Sequence, residues 1–336
     1  MALIIMLLPV AVILFSEIKG IETPDKKVMA SLLILVMVPN SETWLSLALS
    51  HFYQGLAVAL ILVSKARSRW VQWFRYVVLL TAGLNTPFPG FLVPFFWIAW
   101  LLNRDRTRLI ETVAISLSTG IQAWIVLSLT KQGMREPDFT FDYLPYALWV
   151  KQILLPLRGW EYANLKVPEI RQAFQEGSGV LPWLIPFLYL LVVACLAKTR
   201  SLAAAFLFSS SLMMLILSCV FAIGLGKSGS HLVHIDAVIA GRYYYVPTLL
   251  LYLSLLSISG NKKDRIDTTV SFMTKGIVIW IILIGLANYF PKEGRVGFSF
   301  ARGPSWREEV TEWRQNPDHR IRVWPESWNL QLPPKK

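Results

Sequence analysis

Arg242 opens the run Gly241-Arg242-Tyr243-Tyr244-Tyr245-Val246-Pro247. A planar guanidinium beside tyrosines can hold a phosphate through two parallel hydrogen bonds while the rings line an apolar side. The same residue also reads as an interfacial arginine whose stem snorkels among belt tyrosines, and the sequence leaves both readings open. Just upstream, Lys227, Ser228, Ser230, His231, His234 and Asp236 crowd one loop. His231 and His234 with Asp236 have metal-ligating side chains, but three candidate ligands in a loop carry no fixed geometry, and a solvated, pH-sensitive loop is the simpler reading. Gly224-Leu225-Gly226-Lys227-Ser228 mimics a phosphate-binding loop and fails as one, because the Walker spacing would put its first glycine at Phe221.

Carboxylates suited to proton transfer are few. Glu42 lies in Pro39-Asn40-Ser41-Glu42-Thr43-Trp44, a short turn between two apolar stretches. There it can act as a base or metal ligand, or more simply favour the positive end of the following helix. Asp138 and Asp142 stand at helical spacing beside Glu136, although Pro137 argues against a regular helix before them, and solvation alone accounts for most such loop acids. His51 and Gln54 fall on nearly one face of a following apolar helix, where hydrogen bonding between helices is the default. Cys195 and Cys219 both lie in apolar segments and read as small packing residues rather than as a disulfide or metal pair.

The elements that must position these groups are membrane helices. Of 336 residues 54% are hydrophobic and 16% charged, and the mean hydropathy is +0.49, too apolar for the surface of a soluble globule. Stretches such as Thr107 to Leu129, Ser201 to Leu225 and Met273 to Tyr289 approach or exceed the roughly 20 residues that cross the hydrocarbon. The alternation of a membrane barrel is absent, so the expected fold is all-α, a polytopic transmembrane helical bundle. A net charge of +12 invites a nucleic-acid reading, but the cations are spread over short loops and no soluble domain presents them, so no nucleic-acid partner is expected. They read instead as topogenic signals.

Lys65, Arg67, Arg69 and Arg75, then Arg104, Arg106 and Arg108, then Lys198 with Arg200, then Lys262, Lys263 and Arg265 recur at the spacing of helix pairs, which assigns them to the cytoplasmic side. The regions 131–180 and 226–241 and the tail from 291 then lie outside, dividing the chain into a bundle over 1–290 and an outer C-terminal tail over 291–336. Between the first two basic clusters, Gly83-Leu84-Asn85-Thr86-Pro87-Phe88-Pro89-Gly90 interrupts an apolar stretch. Two prolines forbid a continuous helix, which predicts short or broken helices near 77–101, meeting on the outer side. Met1 to Ser16 reads as a span without the features of a signal peptide. The region 131–180, with Tyr143-Leu144-Pro145-Tyr146 and Trp149 to Trp160, suits an amphipathic segment along the interface. The tryptophan-rich tail suits either a small cap or headgroup anchoring.

Four stretches together resemble bacterial multispan proteins related to the C-type (GT-C) glycosyltransferases: Pro39 to Trp44, Ala82-Gly83-Leu84-Asn85-Thr86-Pro87-Phe88, Gly241 to Pro247, and Val323-Trp324-Pro325-Glu326-Ser327-Trp328. The resemblance implies a GT-C-like bundle in the bacterial inner membrane, with catalysis on the outer face. It implies a polyprenyl-phosphate-linked sugar donor and a surface polysaccharide or glycolipid acceptor. Arg242 would then serve the lipid phosphate, Tyr243 and Tyr244 the lipid chain or sugar, and His231 and His234 would lie in the binding region. Glu42, Asp138 and Asp142 would be the carboxylates for the proton, and a divalent cation stays open as a cofactor. Members of that class carry their acidic motif just after the first span. Orientation places that region upstream of Met1, which implies a preceding span with an acidic loop, or a copy without catalysis. A polysaccharide polymerase or ligase and a noncatalytic transporter or flippase remain the competing readings.

Overall fold

A computed structural model describes residues 2–38, 50–85, 88–129, 143–176, 181–222, 241–258, 265–289, 304–316, 318–323 and 328–331. The chain divides into two compact units, Met1–Tyr289 and Phe290–Lys336. In the first, α1 (Ala2–Phe15), β1 (Ser16–Ile18) and α2 (Pro24–Val36) precede α3 (Ser50–Val63), β2 (Ser64–Ala66) and α4 (Arg69–Asn85). A 3-10 turn (Phe88–Leu92) leads to α5 (Val93–Asn103) and α6 (Arg106–Leu129). Then come α7 (Tyr143–Ala147), a π-helix (Leu148–Leu154), α8 (Leu155–Gln175), α9 (Leu181–Arg200), α10 (Leu202–Ala222), α11 (Gly241–Ile258) and α12 (Arg265–Tyr289). Apart from one pair of three-residue strands, the described part of this unit is all-α.

The core is apolar, as in a soluble protein, but much of the outer surface is apolar too. Two helices, α3 and α11, are enclosed along almost their whole length. Around them, α6, α9 and α12 turn large apolar side chains outward, among them Leu117, Trp124, Phe187, Leu191, Phe272 and Leu283. Exposed apolar surface on this scale marks contact with something other than water. Arg106–Ser128, Leu202–Cys219 and Thr268–Asn288 are long and apolar enough to cross a membrane, and α4 with the segment through α5 would make a fourth if that bent pair is one span. At 14 residues, α1 falls short of the length expected of Met1 to Ser16 as a span.

The expected interruption near 77–101 is present. The helix stops at Asn85, Pro89 lies in the 3-10 turn, Pro94 lies in the first turn of α5, and the two arms are bent by 117°. The stretch expected to run along the interface differs from that expectation. Residues 143–176 are helical, and Tyr146, Leu148, Val150 and Leu154 bury against Leu215, Cys219 and Tyr244 of α10 and α11. Its aromatics and aliphatics recur closely enough to form a packing face as well as an interfacial one.

Among the described residues, the basic clusters at 65–75 and 104–108 gather at one end of the unit. An antiparallel ladder, Ser16↔Ala66, Glu17↔Lys65 and Ile18↔Ser64, ties the exits of α1 and α3 together, so those two helices run in the same direction. Ser254 Oγ of α11 donates to Ala204 O at 2.8 Å, bringing the start of α10 to the C-terminal part of α11. Helix ends leave carbonyls without partners, and here the cations supply them. Lys27 Nζ donates to Leu14 O (3.1 Å) and Ser16 O (3.2 Å). At the end of α3, Arg75 Nη2 reaches Ile61 O and Ser64 O, both at 3.0 Å, and Arg108 donates to the same two carbonyls at 3.1 and 3.0 Å. Glu111 lies between the guanidiniums, 2.8 Å from each, and accepts from Gln72 Nε2 at 2.9 Å. Two cations therefore face one carboxylate and the negative end of a helix, which together offset most of the buried charge.

In the second unit, α13 (Trp306–Gln315) precedes a hairpin of β3 (Ile321–Val323) and β4 (Trp328–Leu330). Ser305 Oγ caps α13 by accepting Glu308 N–H at 3.5 Å, with Glu308 and Glu309 in the first turn and Arg314 in the last, matching the helix dipole.

Replacing Glu111 by Gln leaves two buried guanidiniums without their counter-charge. Glu111→Gln is expected to lower stability by about 3 kcal/mol, read as an earlier unfolding transition in detergent. An unshifted transition would mean that the cluster does not hold the ends of α3, α4 and α6.

Candidate functional site

Among the residues singled out from sequence, Glu42, Asp138, Asp142, His231 and His234 lie outside the described residues. Arg242, Tyr243 and Tyr244 occupy the first turn of α11. Helical geometry sends the three consecutive tyrosines in different directions, at about 100° per residue. Tyr243 meets α3, its ring 5.9 Å from Phe52 in an edge contact, and Arg242 lies over that tyrosine with Cζ 5.0 Å from the ring centroid. Tyr244 is fully buried, with Lys151 Nζ 5.2 Å from its ring. Tyr245 donates from its hydroxyl to Ile34 O of α2. Only Tyr243 thus shares the partly open side with Arg242, whereas Tyr244 packs inward.

Pro247 explains how this turn is held. A proline has no N–H, so the carbonyl four residues earlier, that of Tyr243, loses its helical partner. Ser218 Oγ of α10 donates to Tyr243 O at 2.9 Å and fills the gap, and Ser211 Oγ donates to Pro247 O at 2.6 Å. The start of α11 is thereby pinned to α10 beside Arg242.

The interrupted helix pair converges on the same place. Phe88, in the 3-10 turn, makes edge contacts with Phe52 at 5.6 Å and Phe91 at 6.2 Å, and His51 lies against Phe52 at 4.2 Å. Asn85 Nδ2, at the end of α4, donates to Gln54 Oε1 at 2.7 Å. Gly55 permits this approach, because a Cβ there would lie 2.6 Å from the Phe88 ring. Two stretches far apart in sequence, Ala82 to Phe88 and Gly241 to Pro247, thus meet through Phe52.

Sequence reasoning missed Lys151. It lies in the apolar run Leu148 to Leu157, and a lone cation in such a run was the available signal. The π-helix carries it inward to complete burial, with Gln152 O accepting from Tyr252 Oη at 2.6 Å. Local π geometry often accompanies functional sites. Farther on, α8 breaks at Gly159, whose φ of 77° lies in the left-handed region. There α12 supplies the missing partners: Asn288 Oδ1 accepts Trp160 N–H at 3.1 Å, and Trp280 Nε1 donates to Leu157 O at 2.8 Å.

Arg242 stacked beside a tyrosine, with the broken helix joined to that tyrosine through Phe52, suits an anion that also carries an apolar chain. The guanidinium fork holds phosphate oxygens and the aromatic faces take hydrocarbon or sugar. A metal is a poorer fit to what is described. Among the described residues, Glu309, Glu312 and His319 of the second unit have ligand atoms within 4.8 Å of one another. Glu309 is already occupied, however. It accepts from Arg322 N–H (2.8 Å), Arg322 Nε (2.7 Å) and His319 Nε2 (2.9 Å), and Arg322 Nη2 lies 2.6 Å away. The Arg322 side chain and then its backbone N–H push the Glu309 carboxyl down to about 2. The group is a latch between α13 and β3.

Ser218→Ala is expected to cost about 1 kcal/mol by orphaning Tyr243 O. Pro247→Ala restores an N–H to that carbonyl, so the serine change should cost little in its background; equal cost in both backgrounds, measured by unfolding, would refute the assignment. The depressed Glu309 carboxyl gives the second unit stability that is present above its ordinary value of 4.5 and lost as pH falls from there towards 2. Hydrogen exchange on the full chain should show protection of 306–331 fading over that window in the wild type and absent at neutral pH in Glu309→Gln. Undiminished protection in the variant would exclude the latch. Comparison with known protein families, with curated proteins and with solved structures finds no match to this chain.

Proposed function

We propose that this chain is a polytopic, GT-C-like membrane glycosyltransferase that uses a polyprenyl-phosphate-linked sugar to build a surface polysaccharide or glycolipid. The observation that carries the reading is the meeting of Arg242 and Tyr243 with the interrupted helix pair at Phe52 and Phe88. Interrupted helices border substrate cavities because their irregular backbone must face protein or water.

The chemistry is an inverting displacement. An acceptor hydroxyl attacks the anomeric carbon, the bond from that carbon to the phosphate oxygen breaks, and the hydroxyl proton passes to a carboxylate. The electron pair leaves on the polyprenyl phosphate, whose added charge Arg242 stabilises. Glu42, Asp138 and Asp142 are the candidate bases. Tyr243 flanks the donor, and Tyr244 with Lys151 supports that face from within. His231 and His234 belong to the segment that precedes Arg242. In this reading the basic end faces the cytoplasm of a bacterial inner membrane, the site faces outward, and the C-terminal tail lies on the outer side. A polymerase or ligase would use the same chemistry on a longer acceptor.

One observation favours a second reading, a transporter or flippase. The break at Gly159 in α8 is a further discontinuity besides the one after Asn85, and paired broken helices are common in transporters. The experiment is transfer of a labelled sugar from polyprenyl phosphate by protein in vesicles. Arg242→Ala is expected to lower transfer by about 10²-fold to 10³-fold with an unchanged unfolding transition. Unaltered transfer would remove Arg242 from the mechanism, and movement of the donor across the bilayer with no covalent product would establish the transporter.

A further inference from the structure

The cations at the basic end fall into two groups. Lys27, Arg75 and Arg108 turn inward to helix-end carbonyls and Glu111. Lys65, Arg67, Arg69, Arg104 and Arg106 are exposed. The neighbouring carboxylates do not neutralise this second group. Glu17 lies 3.6 Å from Arg67 with both side chains about half exposed, and Asp105 caps α6 by accepting Thr107 N–H at 3.2 Å. An exposed pair of that kind is weak.

Large aromatics accompany the exposed cations. Trp70 is 84% exposed and Trp73 64% exposed on the first turns of α4. Gln72 and Arg75 bond to Glu111, and Leu79 O accepts from Ser118, so α4 and α6 run in the same direction and start at the same end. Thr112 Oγ1 donates to Phe96 O, and a Cβ on Gly90, just before α5, would lie 3.5 Å from Thr119 Cβ, so this segment runs opposite to α6 and α5 finishes there. The start of α4, the end of α5 and the start of α6 thus form one rim that combines indoles with guanidiniums.

Arg104 adds an independent argument. It ends α5 with φ 52°, its N–H bonded to Trp100 O at 2.7 Å, in the left-handed position that helices ordinarily give to glycine or asparagine. An arginine there strains the backbone and gains no described carboxylate partner, while its guanidinium lies 5.0 Å from the Trp100 ring centroid. A strained residue retained at a surface points to a use for its side chain.

We infer that this rim binds the phosphate headgroups of anionic phospholipids. The cations take the phosphate, the tryptophans sit at headgroup depth, and Arg104 is held against Trp100 so that its charge stays at the rim. The inference rests on the membrane embedding of the bundle and is independent of glycosyl transfer.

The test uses the purified full chain in micelles containing equal phosphatidylglycerol and phosphatidylcholine, with retained lipid counted by native mass spectrometry. The wild type should retain phosphatidylglycerol preferentially, and the combined variant Arg69→Gln, Arg104→Gly, Arg106→Gln should lose that preference by about tenfold or more. Glycine at 104 relieves the left-handed backbone, so the variant folds with an unfolding transition no lower than the wild type's, and Arg69→Lys with Arg106→Lys should keep the preference. An unchanged preference in the combined variant, or none in the wild type, overturns the site, as does full displacement of phosphatidylglycerol by an equal concentration of inorganic phosphate. Failure of the wild type to enter bilayer vesicles would overturn the embedding itself. Loss of sugar transfer with lipid preference intact would leave this site standing and remove only the proposed reaction.

Discussion

A backbone carbonyl or N–H that loses its helical partner inside lipid has no water to turn to, and that constraint organises this chain. At three places in the described helices the freed backbone groups are answered by side chains from neighbouring elements. Pro247 strips Tyr243 O of its partner and Ser218 replaces it. Gly159 breaks α8, and Asn288 with Trp280 takes up the freed groups. The end of α3 exposes Ile61 O and Ser64 O, and Arg75 with Arg108 covers them. These bonds set which helices lie together as firmly as the apolar packing does, because apolar packing has little to gain over lipid tails.

The same constraint explains why the residues of the candidate site meet where the helices are irregular. The interruption after Asn85 and the proline turn of α11 both needed neighbours, and both found them around Phe52. The consequence is that Arg242 and Tyr243 stand half-buried beside an inner layer containing Lys151 and Tyr244. At the opposite end regular helices simply stop, and cations that sequence reasoning assigns to topology also act as caps. Lys27, Arg75 and Arg108 terminate helices, while Lys65, Arg67, Arg69, Arg104 and Arg106 stay exposed at the same end.

Helical class and the break near Asn85 were legible because apolar length and proline are local signals. The three apolar stretches singled out from sequence overlap the three helices that, among the described residues, are long and apolar enough to cross a membrane. Residues 143–176 were less legible, since an aromatic-rich amphipathic stretch looks alike whether it meets headgroups or other helices, and only tertiary packing shows Lys151 turned inward. The tyrosine run illustrates a further limit. Sequence placed Tyr243 and Tyr244 together at the site, but Tyr244 is buried beside Lys151, and of the two tyrosines it is Tyr243 that lies against Arg242. The approach of Ala82 to Phe88 to Gly241 to Pro247 is a long-range contact with no trace in either segment alone.

The central claim is that the site around Arg242, Tyr243, Phe52 and Phe88 receives a polyprenyl phosphate. Photo-crosslinking in vesicles with a benzophenone-bearing polyprenyl phosphate, followed by peptide mapping, tests it most directly. The account predicts crosslinks in Gly241 to Pro247 and in the segments holding Phe52 and Phe88, suppressed by unlabelled polyprenyl phosphate. Crosslinks confined to the outward faces of α6, α9 and α12, with no competition, would contradict it.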